Sequence, residues 1–131
     1  MSPLIAALPE LVTDRVGNGG CGVAALTATT SAWDAIDRRL DAEFLPRAGQ
    51  SDADGYLEPV VEVVHLAREA VAELRDAGTA APSRVVPNGE GGLVLEWSCG
   101  ERFHTLEFDA DRQIEFVSLD RQRVAFRQRL R

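Results

Sequence analysis

The chain has no lysine, and all fourteen of its basic residues are arginine. That bias reads as GC-rich coding rather than as a physical requirement. Positive charge is scarce overall, because twenty-one Asp and Glu leave a net charge of −7 and a pI near 4.8. A polyanion binder needs the opposite sign, so nucleic acid is marked down as a partner. No apolar run approaches the ~20 residues that a membrane-spanning helix needs. The opening "MSPLIAALPELVTD" lacks a basic n-region and carries Pro3 and Pro9, so it is a poor signal peptide. Only two cysteines are present, Cys21 and Cys99. Two distant thiols without a secretion signal read as a reducing compartment, so the expected location is cytoplasmic.

What is present is the mixture of a globular chain. Its 131 residues are 45% hydrophobic and 27% charged, enough for one domain with a real core. Residues 1–55 read as a helical and Gly-rich part, with a short helix over 3–15 and a Gly-rich loop over 17–22. A stripe of Leu26, Trp33, Ile36, Leu40 and Phe44 predicts a helix from Val23 to about Leu45. "PRAGQSDADG" is a loop by composition. Residues 56–78 hold the strongest helix, with Val60, Val63, Val64, Ala67, Ala70, Val71 and Leu74 on one face. Pro59 fits its first turn and Gly78 its stop.

Over 83–130 the period changes from 3.6 to 2. "GLVLEWS", "RFHTLEF" and "QIEFVSL" alternate, with short turns at Cys99-Gly100-Glu101 and Asp109-Ala110-Asp111. A short strand, Arg84 to Val86, precedes them. In "RQRVAFRQRLR" the arginines 121, 123, 127, 129 and 131 share one parity. Val124, Phe126 and Leu130 share the other, which favours a strand with one basic and one apolar face. The expected fold is α+β: N-terminal helices and one long helix packed on an antiparallel meander of four or five strands.

Gly17, Gly19 and Gly22 spell G-x-G-x-x-G, yet no buried parallel strand precedes the motif. The acid about twenty residues on, Asp41, falls inside a predicted helix, so the dinucleotide reading lacks its context. A flexible turn is the better reading, and no cofactor is implied. Cys21, His65, Cys99 and His104 contain no close ligand pair, so no metal is implied either. An i,i+4 contact with Glu69 is the expected role of His65.

Cys21, His104 and Asp120 could instead supply nucleophile, base and orienter in that order. Residues 20–26 are similar to the nucleophile segment of papain-like peptidases, above all those that trim double-glycine leaders. The chain departs from that pattern. No Gln precedes Gln50, and Asp120 is followed by Arg121 rather than Pro.

Residues 54–117 resemble a small uncharacterised bacterial family. Its pattern is a "DG" loop, a Pro-led helix, then "P-x-V-x-P-x-x-D-G-G-I-x-L-E-W" and two alternating strands. The matching stretches are "DGYLEPVVEVVHLAREAVAEL" and "APSRVVPNGEGGLVLEWSCGERFHTLEFDADRQIEFV". Pro82, Pro87, Gly91, Gly92, Leu95, Glu96 and Trp97 fall in step, and Glu90 stands where the family tends to Asp. The resemblance implies the α+β layout and a bacterial source, and leaves the function open.

The reading favoured by these observations is a non-catalytic protein-interaction module of the antitoxin, immunity or adaptor kind. Its expected contacts are Glu96, Arg123, Arg127 and Arg129, with Glu96, Glu107 and Glu115 facing Arg123 and Arg127 across the ladder. The expected partner is another protein, or a second copy through a sheet edge, with no membrane contact. One alternative is the peptidase-like enzyme using Cys21, His104 and Asp120. A second is phosphate or nucleic-acid binding through the C-terminal arginine strand.

Overall fold

Helix α3 forms where the apolar period is cleanest. It runs Val61–Asp76 and buries Val63, Val64, Leu66, Ala67, Ala70, Val71 and Leu74. The computed structural model describes residues 8–16 and 26–130. The periodicity predicts a helix from Leu57, with Pro59 inside its first turn. The helix begins four residues later because the chain before it is committed elsewhere. Val60 is extended and caps the helix (φ −71, ψ 154), and its N–H donates to the Gly91 carbonyl at 3.0 Å. Leu57 likewise exchanges bonds with Gly89 (2.9 Å) and Gly91 (3.1 Å). Thus "DGYLEPV" and "PNGEGG", far apart in sequence, lie side by side.

The end of α3 is a complete glycine stop. Gly78 has φ +80, its N–H donates to Arg75 O, and Thr79 N–H donates to Leu74 O, both at 3.0 Å. The left-handed conformation lets the chain turn back and satisfy two orphan carbonyls. The buried segment that follows anchors both tryptophans. Trp33 Nε1 donates to Thr79 O (3.1 Å) and Trp97 Nε1 to Ala80 O (2.8 Å). Each indole thereby buries its rings without orphaning its N–H.

Helix α1 spans Leu8–Val16 and α2 spans Leu26–Arg39. Pro9 sits in the first turn of α1, where a missing N–H costs no helical bond. The stripe predicted as one helix to Leu45 ends instead in a π-helical turn, Leu40–Phe44. Leu45 N–H donates to Leu40 O at 3.0 Å, and the widened turn keeps both Leu40 and Phe44 buried. Arg75 on α3 ties α2 down through Asp34 (2.8 Å) and Asp37 (3.2 Å), and Arg68 reaches Asp41 (3.2 Å).

Five strands form one antiparallel meander in sequential order. They are β1 Arg84–Pro87, β2 Leu93–Cys99, β3 Arg102–Phe108, β4 Ile114–Asp120 and β5 Arg123–Arg129. Period-2 alternation sends Val85, Leu93, Leu95, Trp97, Leu106, Phe108, Ile114 and Phe116 into the helical layer, where all are buried. Gly91 and Gly92 enter β2 for different reasons. Gly91 has φ +88, whereas a Cβ on Gly92 would stand 2.4 Å from the Phe108 carbonyl.

The β4–β5 register corrects two expectations. It shifts between Ser118 and Leu119, with Phe126 opposite Ser118 and Val124 opposite Leu119. Ala125 is therefore an extra residue, and Val124 turns to the face opposite Phe126; Arg123, opposite Asp120, correspondingly leaves the face that Arg127 and Arg129 share. Val124 is 55% exposed. The charge pairs also differ from those expected. Glu115 lies opposite Arg129, Val117 opposite Arg127 and Asp120 opposite Arg123. Glu107 faces Glu115, and Glu96 faces Arg84 and Thr105. β5 neighbours only β4, so Glu96, three strands away, cannot meet Arg123 or Arg127.

Candidate interaction surface

The described helices pack on one face of the sheet, so the other face is built by the residues that alternation turns outward. Three cross-strand rows result from the pairing. Val86, Val94, Glu107, Glu115 and Arg129 make one; Arg84, Glu96, Thr105, Val117 and Arg127 the next; Phe103, Leu119 and Val124 fall in the third. The first row ends in a hollow of about 250 Å3 where Glu90, Glu107, Asp109 and Glu115 gather around Arg129, with Asn88 and Gln113 completing the lining. Glu107 faces a like charge there, a destabilising arrangement, and its carboxylate accepts a bond from Asn88 Nδ2 at 3.1 Å. The third row begins at the exposed Ser98 and is otherwise apolar.

A larger hollow of about 660 Å3 opens beside that third row. Its walls are Phe103 and Leu119, and its rim is made by two hairpin tips, Gly100-Glu101 and Arg121-Gln122. The tips are joined: Arg121 N–H donates to Glu101 O (3.0 Å) and its Nε to Glu101 Oε2 (2.8 Å). Arg121 and Gln122 both adopt positive φ (53 and 67). That is the geometry of a two-residue hairpin that ordinarily recruits Asn and Gly. Two non-glycine residues held there cost on the order of 1 kcal/mol each.

The predicted contact residues separate into two kinds. Glu96 is bound within the sheet: its carboxylate takes the Arg84 guanidinium and its side chain is 12% exposed. Arg123, Arg127 and Arg129 are all exposed on β5. Arg129 donates to Gln113 Oε1 at 3.0 Å. Among the described residues, Arg123 and Arg127 have neither an ion pair nor a side-chain hydrogen bond.

The sheet's two edges differ in the same way. β1 has four residues and ends in a proline, and the Arg39 guanidinium donates to its outward Val85 carbonyl. β5 has seven residues, and no described element lies beyond it. Leu130 N–H bonds inward to Ile114 O at 2.7 Å. By antiparallel alternation Gln128 and Phe126 also bond inward, leaving the backbone groups of Arg127 and Arg129 on the open edge.

The alternative catalytic set is not assembled among the described residues. Cys21 lies outside them, as does the G-x-G-x-x-G segment. His104 is 4% exposed on the inner face, between Trp97 and Ser118 in register. Its Nδ1 is bonded to Ser118 Oγ at 2.7 Å, and its ring stacks on Phe116. Asp120 stands at the exposed end of β4 opposite Arg102 and Arg123, with no bond to His104. Burial, and then the Arg102 and Arg15 guanidinium groups, lower the His104 pKa from its ordinary value. Arg15 on α1 reaches this row by stacking over Phe126, 3.8 Å from the ring centre.

His65 is exposed on α3 and makes no bond to Glu69, contrary to expectation. Among the described residues no three His, Cys, Asp or Glu converge as metal ligands, and no helix is long and apolar enough to cross a membrane.

Sequence reasoning missed the Phe103, Leu119 and Val124 row. The outward parity of Phe103 and Leu119 was a usable signal. For Val124 there was none, because the bulge at Ala125 reverses its face. No family model, curated protein or solved structure matches the chain.

Proposed function

We propose that this protein is a non-catalytic interaction module that docks another protein on the outer face of its sheet. One observation carries the reading: a sheet covered on one side keeps an apolar row and an arginine-bearing edge on the other. Phe103 and Leu119 wall a hollow, Val124 stands exposed beside it, and Arg127, which the register sets on that same face, has no partner within the described fold. Apolar anchors rimmed by charge are the ordinary composition of a docking surface. The strained Arg121-Gln122 tip fits the same view, since strain concentrates where a structure is used. The motif residues singled out in the sequence are accounted for by folding. Gly91, Gly92, Trp97 and the 57–60 segment hold β2 and α3 in place.

The test is photo-crosslinking in the source cells. A crosslinking amino acid replaces Leu119 or Val124 on the sheet and, as controls, Glu62 or Glu69 on the exposed side of α3. The reading predicts one recurrent protein crosslinked from 119 and 124 and absent from 62 and 69. That protein, purified, binds the wild type and loses affinity for Val124→Glu. Equal crosslinking from both sides, or unchanged binding by Val124→Glu, would overturn it.

A further inference from the structure

The open edge has a charge that selects its occupant. Residues 121–131 hold five arginines and no acid, whereas the other 120 residues hold nine arginines and all twenty-one acids. The basic segment is thus a cationic strand on an anionic body. Its arginines are presented in a defined pattern. Arg127 and Arg129 place their side chains on the outer face, at the ends of adjacent rows. The same two residues hold the backbone groups left on the free edge. A strand added there meets both at once: main-chain bonds to residues 127 and 129, and guanidinium groups beside its own outward side chains.

Three occupants can be weighed by charge. A second copy pairing β5 against β5 sets arginine against arginine, which is repulsive across a ladder. The expected self-association through this edge is therefore the poorest fit. Nucleic acid must approach a chain of net charge −7 and pass Glu101, Glu115 and Asp120, which neighbour the arginines on adjacent strands. An extended protein segment faces the same neighbouring acids, Glu115 opposite Arg129 among them, but carries only a few carboxylates, sets two of them beside Arg127 and Arg129, and gains the main-chain bonds of the edge, which a phosphate backbone cannot make.

We propose that the β5 edge takes an extended acidic segment of another protein as a sixth strand, with two carboxylates spaced i,i+2 beside Arg127 and Arg129. The mode is strand addition: backbone bonds supply affinity and alternate side chains supply specificity. Arginine suits the site because its fork engages a carboxylate through two parallel bonds. The bulge at Ala125 sets one limit of the docking strand, since regular pairing stops there. The segment therefore runs from Leu130 toward Phe126 and not on to Val124.

This inference rests on the interaction-module reading. Its test uses the whole protein and a fluorescein-labelled octapeptide alternating Glu and Thr, followed by fluorescence anisotropy. A second peptide carries the same charges with every other amide N-methylated, so that the bonds to an edge are blocked. A third probe is a single-stranded oligonucleotide of equal charge. The expected result is saturable binding of the first peptide, lost on N-methylation. The double reversal Arg127→Glu/Arg129→Glu weakens binding by at least about tenfold, as two reversed cross-strand pairs should. A Lys/Thr peptide then binds that variant instead. Arg47→Glu, an exposed loop change, leaves binding unaltered, and circular dichroism verifies that each variant is folded.

Equal binding of the N-methylated peptide would reduce the edge to bulk electrostatics and overturn strand addition. Tighter binding of the oligonucleotide would overturn it in favour of nucleic acid. Failure of the acidic peptide while crosslinks from 119 and 124 persist would overturn strand addition and leave the interaction module standing. Failure of both would remove both.

Discussion

The two faces of one sheet are made by the same five strands and differ in nearly everything else. On the inner face Trp97, Leu106, Phe108 and Phe116 are buried under the helices, Trp97 Nε1 bonds Ala80 O, and His104 Nδ1 bonds Ser118 Oγ. On the outer face charges pair across the ladder or face one another, a hollow stays open, and among the described residues Arg127 at the edge has no partner. Alternation therefore sorts buried core side chains from exposed ones at single-residue resolution. A mutation one position along a strand should move the effect from folding to binding.

The sharpest contrast is between Trp97 and Leu119. Trp97→Ala removes a filled indole and orphans the Ala80 carbonyl, so it should cost about 3–5 kcal/mol in urea denaturation. Leu119→Ala should cost under about 1 kcal/mol, because its site is already open to solvent. Comparable losses at the two positions would break the division between the faces.

Gly92→Ala comes next. Its Cβ would meet the Phe108 carbonyl at 2.4 Å and the Asn88 amide at 2.5 Å. Backbone cannot yield there, so we expect a loss of about 2 kcal/mol. Gly55→Ala meets nothing within 4 Å and has only its φ of +89 against it, so it should lose about 1 kcal/mol. An equal effect at both glycines would say that close packing at the β2 entry is unimportant.

His104 gives the inner face a pH signature. Its pKa in the folded state lies below the ordinary 6.5, so the unfolded chain binds the proton more readily. The contribution of a neutral His104 is fully present above about pH 6.5 and is lost as pH falls below that toward the folded value. The urea midpoint should drop between pH 7.5 and 5.5, and His104→Gln should flatten that drop. A variant with the wild-type slope would place the dependence on another group.

The smallest effects belong to the outer face, and one of them has the opposite sign. Replacing Arg121-Gln122 by Asn-Gly should stabilise by about 1 kcal/mol, because both positions require positive φ. The lost Arg121–Glu101 pair is highly exposed and worth little. A destabilised variant would mean that the tip's cross-hairpin bonds matter more than its backbone strain.

The layout was legible because two periods dominate it. The change from 3.6 to 2 near Pro82 marks where α3 gives way to the meander, and the parity of Leu93, Leu95 and Trp97 assigns the core. What was not legible depends on contacts between distant segments. The start of α3 is set by Gly91, thirty residues away, through the bond to Val60. The facing of Arg127 depends on a bulge that no local pattern announces. Glu96 read as a partner contact because it points outward, yet Arg84 on the neighbouring strand already holds it. Position on a face was readable, and availability on that face was not.

The central claim is that the outer edge recognises a partner while the helical face does not. Amide-resolved NMR of the whole protein titrated with the alternating Glu/Thr octapeptide tests it most directly. The account predicts shifts confined to residues 126–130 of β5 and their outward neighbours on β4, with α3 silent. It also predicts slowed exchange at the Arg127 and Arg129 amides, which face the open edge. Shifts centred on α3, or unchanged exchange at those two amides under saturating peptide, would contradict it.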